Sequence, residues 1–271
     1  MSVSFDFSGK TVFVSGGTSG INLGVAEGFA AAGARVFVIS RSEDKVAAAV
    51  ERLRVAGAEA ADGRSADVRD HDAVKQTFED CAGMFGKIDV LISGAAGNFP
   101  AMANDISSNG FRAVLEIDVL GTHHVMTSAY PHLKKPGASV INISAPQAVV
   151  PMIGQVHVCA AKAGVDMITK TLALEWGAEG IRINSVIPGP IEDTEGMRRL
   201  APGEEAMKAV SETVPLRRNG KAQDIANMCM MLSSDAANYV SGVIVPVDGG
   251  WYLGGVGTAL ERTLAGLKSS S

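Results

Sequence analysis

Apolar and polar positions along this chain follow two alternating periods. Short, almost wholly apolar runs, such as VFVIS at 36–40 and VLIS at 90–93, have the character of parallel strands covered on both faces. Longer segments between them repeat apolar residues at helical spacing. In VAAAVERLRVAG (46–57) the apolar positions share one face, and Glu51, Arg52 and Arg54 lie elsewhere. The pattern predicts strands at 11–15, 35–40, 60–66, 88–93, 139–144, 182–187 and 243–247. It predicts helices at 23–32, 43–56, 72–85, 111–133, 157–177 and 223–232. Strict β–α alternation implies right-handed crossovers. The expected fold class is therefore α/β: a doubly wound, parallel sheet of about seven strands with helices on both faces. No repeat or composition break divides the chain. A single domain is expected, with a core over about 8–253 and a tail at 254–271.

Composition narrows the function classes. Apolar residues are 46% and charged residues 20%, enough to bury a large core. Thirty-one glycines accompany only 10 prolines, which points to tight turns and close backbone contacts, not to a linker. The net charge of −5 argues against nucleic-acid binding, although local arginines can still meet a small anion. Cys81, Cys159 and Cys229 give neither a disulfide framework nor metal-ligand spacing, and no metal is expected. The start, MSVSFDFSGK, lacks a basic region followed by an apolar run, so no signal peptide is expected. No apolar run approaches the ~18 residues of a membrane span. The end, KSSS, is not an SKL-type peroxisomal address, and the expected setting is reducing and cytoplasmic.

The first strand runs into SGGTSGINLG (15–24) and then a helix. Gly16 and Gly20 sit where the chain leaves the strand and enters the helix. Glycine there permits a tight turn and lets backbone N–H groups reach a pyrophosphate, aided by the positive helix end. Thr18, Ser19 and Ile21 complete the candidate turn, and a plain surface turn is its alternative. A phosphate-binding Walker loop fails: Gly9-Lys10-Thr11 resembles its end, but the glycine needed five residues earlier is Ser4. The second strand ends Ile39-Ser40-Arg41, with no acid at its tip to hold a free ribose 2′-hydroxyl. Ser40 and Arg41 instead suit a 2′-phosphate, because the guanidinium fork gives parallel charge-assisted hydrogen bonds. NADPH is the expected cofactor of a Rossmann-type domain of this kind. The alternative for Arg41 is a solvated loop residue; Glu43 and Asp44 read as first-turn helix acids.

These residues resemble the short-chain dehydrogenase/reductase family over about 8–253. The family's usual third turn glycine is Asn22 here. The strand-four motif reads SGAAGNF in place of the common NNAG. Asp67-Val68 matches the adenine contact, PGPI at 188–191 the loop near the nicotinamide, and VDGG at 247–250 the last strand. The resemblance therefore implies cofactor contacts at Asp67, Val68, Pro188, Gly189, Pro190, Ile191, Thr194 and Lys162. Two departures stand out. The family's proton donor is the tyrosine of YxxxK, and four residues before Lys162 stands Val158. Asp118, in EIDVLGT, stands where most members carry asparagine.

One subgroup, the 2,4-dienoyl-CoA reductases and especially the peroxisomal type, is similar in both respects. It shares AAGNF (95–99), QVHVCAAK (155–162), TLALEWG (171–177) and PGPIEDTEGMRRL (188–200). The mitochondrial type's catalytic tyrosine falls on Gln147. The resemblance implies NADPH-dependent reduction of a 2,4-dienoyl-CoA to a 3-enoyl-CoA in unsaturated fatty acid breakdown. It implies Asn98 as oxyanion donor, Lys162 as a grip on the nicotinamide ribose, and Asp118 as the group that orders a water and relays a proton to C2. A carboxylate in an apolar run needs a compensating cation, and Lys162 is the expected one. Alternatives remain: a loop-turning role for Asn98, a structural hydrogen bond for Asp118, and an Asp166 partner for Lys162. Ser144 is read as a support and His157 as a packing residue. The acyl-CoA substrate is expected to meet Arg41, Arg69 and Arg199, with Phe99 and Ser107 along the acyl path. Arg198–Arg199 is read as an exposed pair in a glycine-flanked loop, with a solvated face as the plain alternative. Ala160, Ala161, Ala163 and Gly164 would let the Lys162 helix approach another, and a homo-oligomer, dimer or tetramer, is expected. The rival readings are another short-chain reductase, acting on a 2-enoyl thioester or a carbonyl, and a non-catalytic NADPH-binding protein.

Overall fold

The computed structural model describes residues 4–254, apart from the side chains of Arg199 and Leu200. Seven strands form one parallel sheet: β1 (Thr11–Ser15), β2 (Arg35–Ser40), β3 (Ala60–Ser65), β4 (Val90–Ser93), β5 (Ser139–Ile143), β6 (Arg182–Pro188) and β7 (Ile244–Val247). Their order is β3-β2-β1-β4-β5-β6-β7. β1 lies between β2 and β4, with Val12 opposite Val36 on one side and Val90 on the other. The chain builds outward from β1 to β3, crosses back to β4, and builds outward the other way. That reversal opens a crevice beyond the C-terminal ends of β1 and β4, where α/β sheets bind their ligands.

The helices are α1 (Gly20–Ala31), α2 (Glu43–Ala56), α3 (His71–Phe85), α4 (Ser108–Leu115), α5 (Gly121–Ala129), α6 (Val156–Trp176), α7 (Glu195–Leu200), α8 (Glu204–Thr213) and α9 (Ala222–Ser233). Local chemistry fixes several starts. Asp70 caps α3 by accepting from the Ala73 N–H at 3.0 Å, and Ser107 caps α4 by accepting from the Gly110 N–H at 3.1 Å. Each expected strand is present, with ends moved by a residue or two. Ile88 makes only an isolated bridge to Leu133, and the β4 ladder begins at Val90.

Two expectations are corrected. The single helix expected at 111–133 is interrupted by a π turn, Glu116–Leu120, between α4 and α5, and ends at Ala129. Asp118 sits in that turn. The stretch holding Arg198 is not a loop but the short helix α7, with α8 following. α8 is short, and its apolar residues Ala206, Met207 and Val210 are only half-buried, so its stripe spans too few turns to stand out in a periodicity reading.

Alternate strand residues face opposite layers. Val12 and Val14 join Leu23, Phe29, Leu53 and Ile225 under α1, α2 and α9. Phe13 joins Phe37, Phe78, Leu91 and Val125 on the other face. Phe13 and Phe78 stack with centroids 4.0 Å apart, both fully buried. Phe78→Ala is expected to cost about 3–5 kcal/mol through lost burial and a residual cavity, lowering the thermal midpoint by roughly 10 °C; calorimetry of the two proteins checks it.

Candidate active site

β1 ends at Ser15, and Gly16 turns the chain with φ +72°. A Cβ on Gly16 would lie 3.0 Å from the Ala95 backbone, so the turn and the loop after β4 meet at van der Waals distance. Beyond them lies a cleft of about 340 Å³. Gly16, Thr18, Ser19, Ser40, Arg41, Asp67 and Val68, all expected at the cofactor, line it. Gly20 is in the same turn, and a Cβ there would touch Thr194 at 3.8 Å. Thr194 itself caps α7, accepting from the Met197 N–H at 3.2 Å. Pro188 ends β6, and the Gly189 N–H donates to the Val247 carbonyl at 3.1 Å, which ties the PGPI segment to the VDGG strand. Ile191 is buried.

The Asp67 end of the cleft is electrostatically set. Arg69 grips the Asp67 carboxylate at 2.6 Å, and its guanidinium holds that carboxyl below the usual range. Arg69, expected at the substrate, is thus paired with an expected cofactor residue. The Val68 carbonyl is 2.9 Å from His124 Nδ1. Sequence reasoning missed Ser42 and Lys45, which also line the cleft beside Arg41. Their signal was legible, since a lysine four residues after Arg41 lies one helical turn into α2.

Behind Gly97 and Ile117, which line the cleft, Asp118 and Lys162 meet. Asp118 is fully buried. Its Oδ1 accepts from the Gly97 N–H at 2.7 Å, and its Oδ2 lies 3.4 Å from Lys162 Nζ. Lys162, on α6, also donates to the Ile143 carbonyl at the end of β5, at 3.1 Å. The alternative Asp166 partner for Lys162 is not the ion pair formed: Asp166 Oδ1 accepts from the Ser185 hydroxyl at 3.1 Å. Burial pushes the Asp166 carboxyl up, with Ser144, Ser185 and Lys162 opposing. Ser144, at the end of β5, is buried beside Asp166. Asn98 follows Gly97 and is exposed on the β4 loop.

Val158, in place of the family's tyrosine, packs with Val114 and Ala161, and Leu115 and Val119 lie against them. His157 is fully buried with its ring 4.5 Å from Phe99, and neither ring nitrogen has a hydrogen-bond partner among the described residues. Gln147 donates to Gln155, the residue before α6. Ser107, at the head of α4, spends its hydroxyl on the cap. Arg198 pairs with Glu195 at 3.4 Å; the side chain of Arg199 lies outside the described residues.

A family model described as "Enoyl-(Acyl carrier protein) reductase" matches residues 16–252. The chain belongs to the short-chain dehydrogenase/reductase family. A protein of Arabidopsis thaliana named a peroxisomal 2,4-dienoyl-CoA reductase, (3E)-enoyl-CoA-producing, is 41% identical, covering 90% of this chain and 85% of its own. A Bacillus subtilis protein named a probable 2,4-dienoyl-CoA reductase, (2E)-enoyl-CoA-producing, is 36% identical over 90% and 97%. The crystal structure of a short-chain dehydrogenase from Bacillus anthracis superposes with a TM-score of 0.80 at 36% identity, covering 91% of this chain and 97% of that one. The short-chain fold thus accounts for the sheet order and the crevice, and the departures at Val158 and Asp118 lie within it.

A larger concavity, about 860 Å³, lies between α9 and the β7 edge and meets the family's cofactor loop only at Gly189–Ile191. Asp118 and Lys162 line neither concavity; they adjoin the smaller cleft through Gly97, which lines it and donates to Asp118. Restoring a phenol by Val158→Tyr is expected to overpack the Val114–Ala161 contact and cost about 1–3 kcal/mol. A chemical denaturation midpoint that does not fall would show that this cluster has room for the ring.

Proposed function

We propose that this chain is an NADPH-dependent reductase of 2,4-dienoyl-CoA thioesters that yields the 3-enoyl-CoA. The observation that carries the reading is the buried Asp118–Lys162 pair, 3.4 Å apart and anchored to the Gly97 N–H, in a site whose tyrosine position is an apolar valine. The residues present fit a nicotinamide dinucleotide phosphate. Gly16 and Gly17 in the glycine turn have no room for a Cβ. Ser40 Oγ is buried and without a hydrogen-bond partner among the described residues at the β2 tip, next to exposed Arg41 and Lys45. NADPH held there would supply the hydride that reduces the dienoyl chain at C5.

The chain's own residues manage the charge that results. Electrons move through both double bonds to the thioester oxygen, where Asn98 donates a hydrogen bond. A donor aimed at developing charge is worth about 3 kcal/mol. C2 then needs a proton. Asp118 orders a water there and relays the proton, and Lys162 pairs with the carboxylate while gripping the nicotinamide ribose. The two groups form one buried ion pair, 3.4 Å apart. Val158 removes the phenol that carbonyl reduction needs, which disfavours a ketone substrate.

The CoA phosphates fall to Arg41, Arg69 and Arg199, and the acyl chain runs past Phe99 and Ser107. Met167 and Leu174, 60% and 85% exposed on the outer face of α6, support a homo-oligomer. The small residues expected to serve that contact are partly used within the chain. Ala161 is buried against Val114, and a Cβ on Gly164 would lie 3.3 Å from Val119. No described helix is long and apolar enough to cross a membrane. The cytoplasmic setting is part of this proposal, and the Arabidopsis relative is named as peroxisomal.

The direct test is NADPH consumption at 340 nm with 2,4-hexadienoyl-CoA, beside 2-enoyl-CoA and 3-oxoacyl-CoA, with the product's double bond located by mass spectrometry. Turnover of the dienoyl thioester alone supports the reading; turnover of the 3-oxoacyl thioester alone overturns it. Asp118→Asn should keep the NADPH dissociation constant and lower turnover at least ~100-fold, the low end of general acid–base effects. The Asp118→Asn/Lys162→Ala double variant should lose far less than the product of the single losses, because either change already breaks the relay. Near-normal turnover in Asp118→Asn would make Asp118 structural.

Arg41 sets the second expectation. The unaltered protein should favour NADPH over NADH at least tenfold in kcat/KM, which needs only ~1.4 kcal/mol and is within one charge-assisted hydrogen bond. Arg41→Ala should remove much of that preference. An unchanged NADPH/NADH ratio in the variant would place the 2′-phosphate elsewhere.

A further inference from the structure

Two departures from the family pattern, recorded separately along the sequence, touch each other in the fold. Asn22 replaces the third turn glycine. Gly94 stands where the strand-four NNAG motif has an asparagine. The Asn22 amide lies flat against Gly94: its Nδ2 donates to the Gly94 carbonyl at 2.7 Å. A carbonyl only accepts, so the NH₂ end of the amide must face it.

There is no space for a side chain at both positions. A Cβ built on Gly94 would lie 2.3 Å from Asn22 Oδ1, 2.5 Å from Nδ2 and 2.6 Å from Cγ. The hydrogen that Gly94 carries in that direction points at the amide. Asn22 Oδ1 is buried without a conventional donor among the described residues, and a Cα–H contact of this kind faces it. Asn22 Nδ2 is also 3.2 Å from where a Gly16 Cβ would be. One amide therefore bridges the glycine turn and the β4 loop.

That loop reaches the catalytic pair within three residues. The Gly97 N–H holds Asp118 Oδ1 at 2.7 Å, and Asp118 Oδ2 faces Lys162 at 3.4 Å. Asn98 is the next residue. Asn22 also lines the cofactor cleft.

We propose that Asn22 and Gly94 are one compensated exchange, in which the side chain lost from strand four is supplied from α1, and that Asn22 is a positioning residue that sets the β4 loop for both dinucleotide binding and turnover. The part concerning turnover rests on the dienoyl-CoA reductase reading; the part concerning the lock does not.

The test is a cycle of four proteins: unaltered, Asn22→Gly, Gly94→Asn, and the double exchange. Three quantities are read: the thermal midpoint of the nucleotide-free protein, the NADPH dissociation constant by calorimetry, and kcat and KM for 2,4-hexadienoyl-CoA. Asn22→Gly should weaken NADPH binding about fivefold, the worth of one neutral hydrogen bond, and lower kcat with little change in the thioester KM. Asn22→Asp should fare no better, because it sets an acceptor against the Gly94 carbonyl. Gly94→Asn should lower the midpoint by several degrees and weaken NADPH binding by at least about tenfold, as expected for an overpacked contact. The double exchange should recover the midpoint and return the dissociation constant to within about threefold of the unaltered protein, since the clash is relieved and an amide is restored across the contact. Additive losses in the double exchange, or an Asn22→Gly protein that binds and turns over normally, would overturn the proposal. Should Gly94→Asn fail to fold, Gly94→Ala with and without Asn22→Gly runs the same cycle with a smaller clash. If the unaltered protein bound no NADPH, the proposed function would fail, and the midpoints alone would still decide whether the two positions are coupled.

Discussion

A buried ion pair is the constraint around which this site is arranged. Asp118 is fully buried and Lys162 nearly so, and neither charge is tolerable there alone. Removing one partner of such a pair typically costs about 3–5 kcal/mol, because the other is left uncompensated. The backbone is shaped to keep the two together. The π turn at Glu116–Leu120 rotates Asp118 toward α6, as π turns often do at functional positions. The Ile143 carbonyl takes one Lys162 proton, and the Gly97 N–H takes the second carboxylate oxygen. Three separate segments, the end of β5, the β4 loop and the α4–α5 junction, are thus fixed by two charges.

The same arrangement explains how the site does without a phenol. A tyrosine at 158 would present its hydroxyl beside the lysine. Valine there closes a small apolar cluster with Val114 and Ala161 instead, and Asp118 takes the place next to Lys162. On the proposed reading, the acid–base role passes from α6 to the facing π turn while the lysine stays. A carboxylate accepts hydrogen bonds only and cannot by itself act as the donor a ketone oxygen needs. It can orient a water, which suits protonation of a carbon remote from the oxygen that carries the charge.

Much of this was legible in the residues and some was not. The sheet follows from the apolar runs, because a strand covered on both faces must be apolar throughout, and VFVIS and VLIS are. The dinucleotide cleft follows from Gly16 and Gly20 directly after β1. The π turn was not legible: GFRAVLEIDVLGTHHV has uninterrupted helical periodicity, and one extra residue in a turn does not disturb it. The salt link of Arg69 to Asp67 was also hidden, since both residues were read for ligands and not for each other. The Asn22–Gly94 contact needed the fold, because 72 residues separate its members. Each departure from the glycine pattern looks like a loss by itself, and only adjacency turns them into a pair.

The second acid near Lys162 bears on how the pair keeps its charge. Asp166 lies one helical turn beyond Lys162, and two carboxylates competing for one ammonium would weaken the link to Asp118. The structure separates their tasks by hydrogen bonding. Asp166 takes the Ser185 hydroxyl, and burial raises its carboxyl above the ordinary aspartate range. A carboxyl so raised is easier to neutralise and makes a weaker claim on the cation. Asp118 instead accepts from the Gly97 N–H at 2.7 Å and lies 3.4 Å from Lys162 Nζ. The asymmetry comes from position: Asp118 faces a loop with a free N–H, and Asp166 faces strand hydroxyls. Lys162 is thereby paired with the carboxylate that the β4 loop holds, and not with the one that faces the sheet.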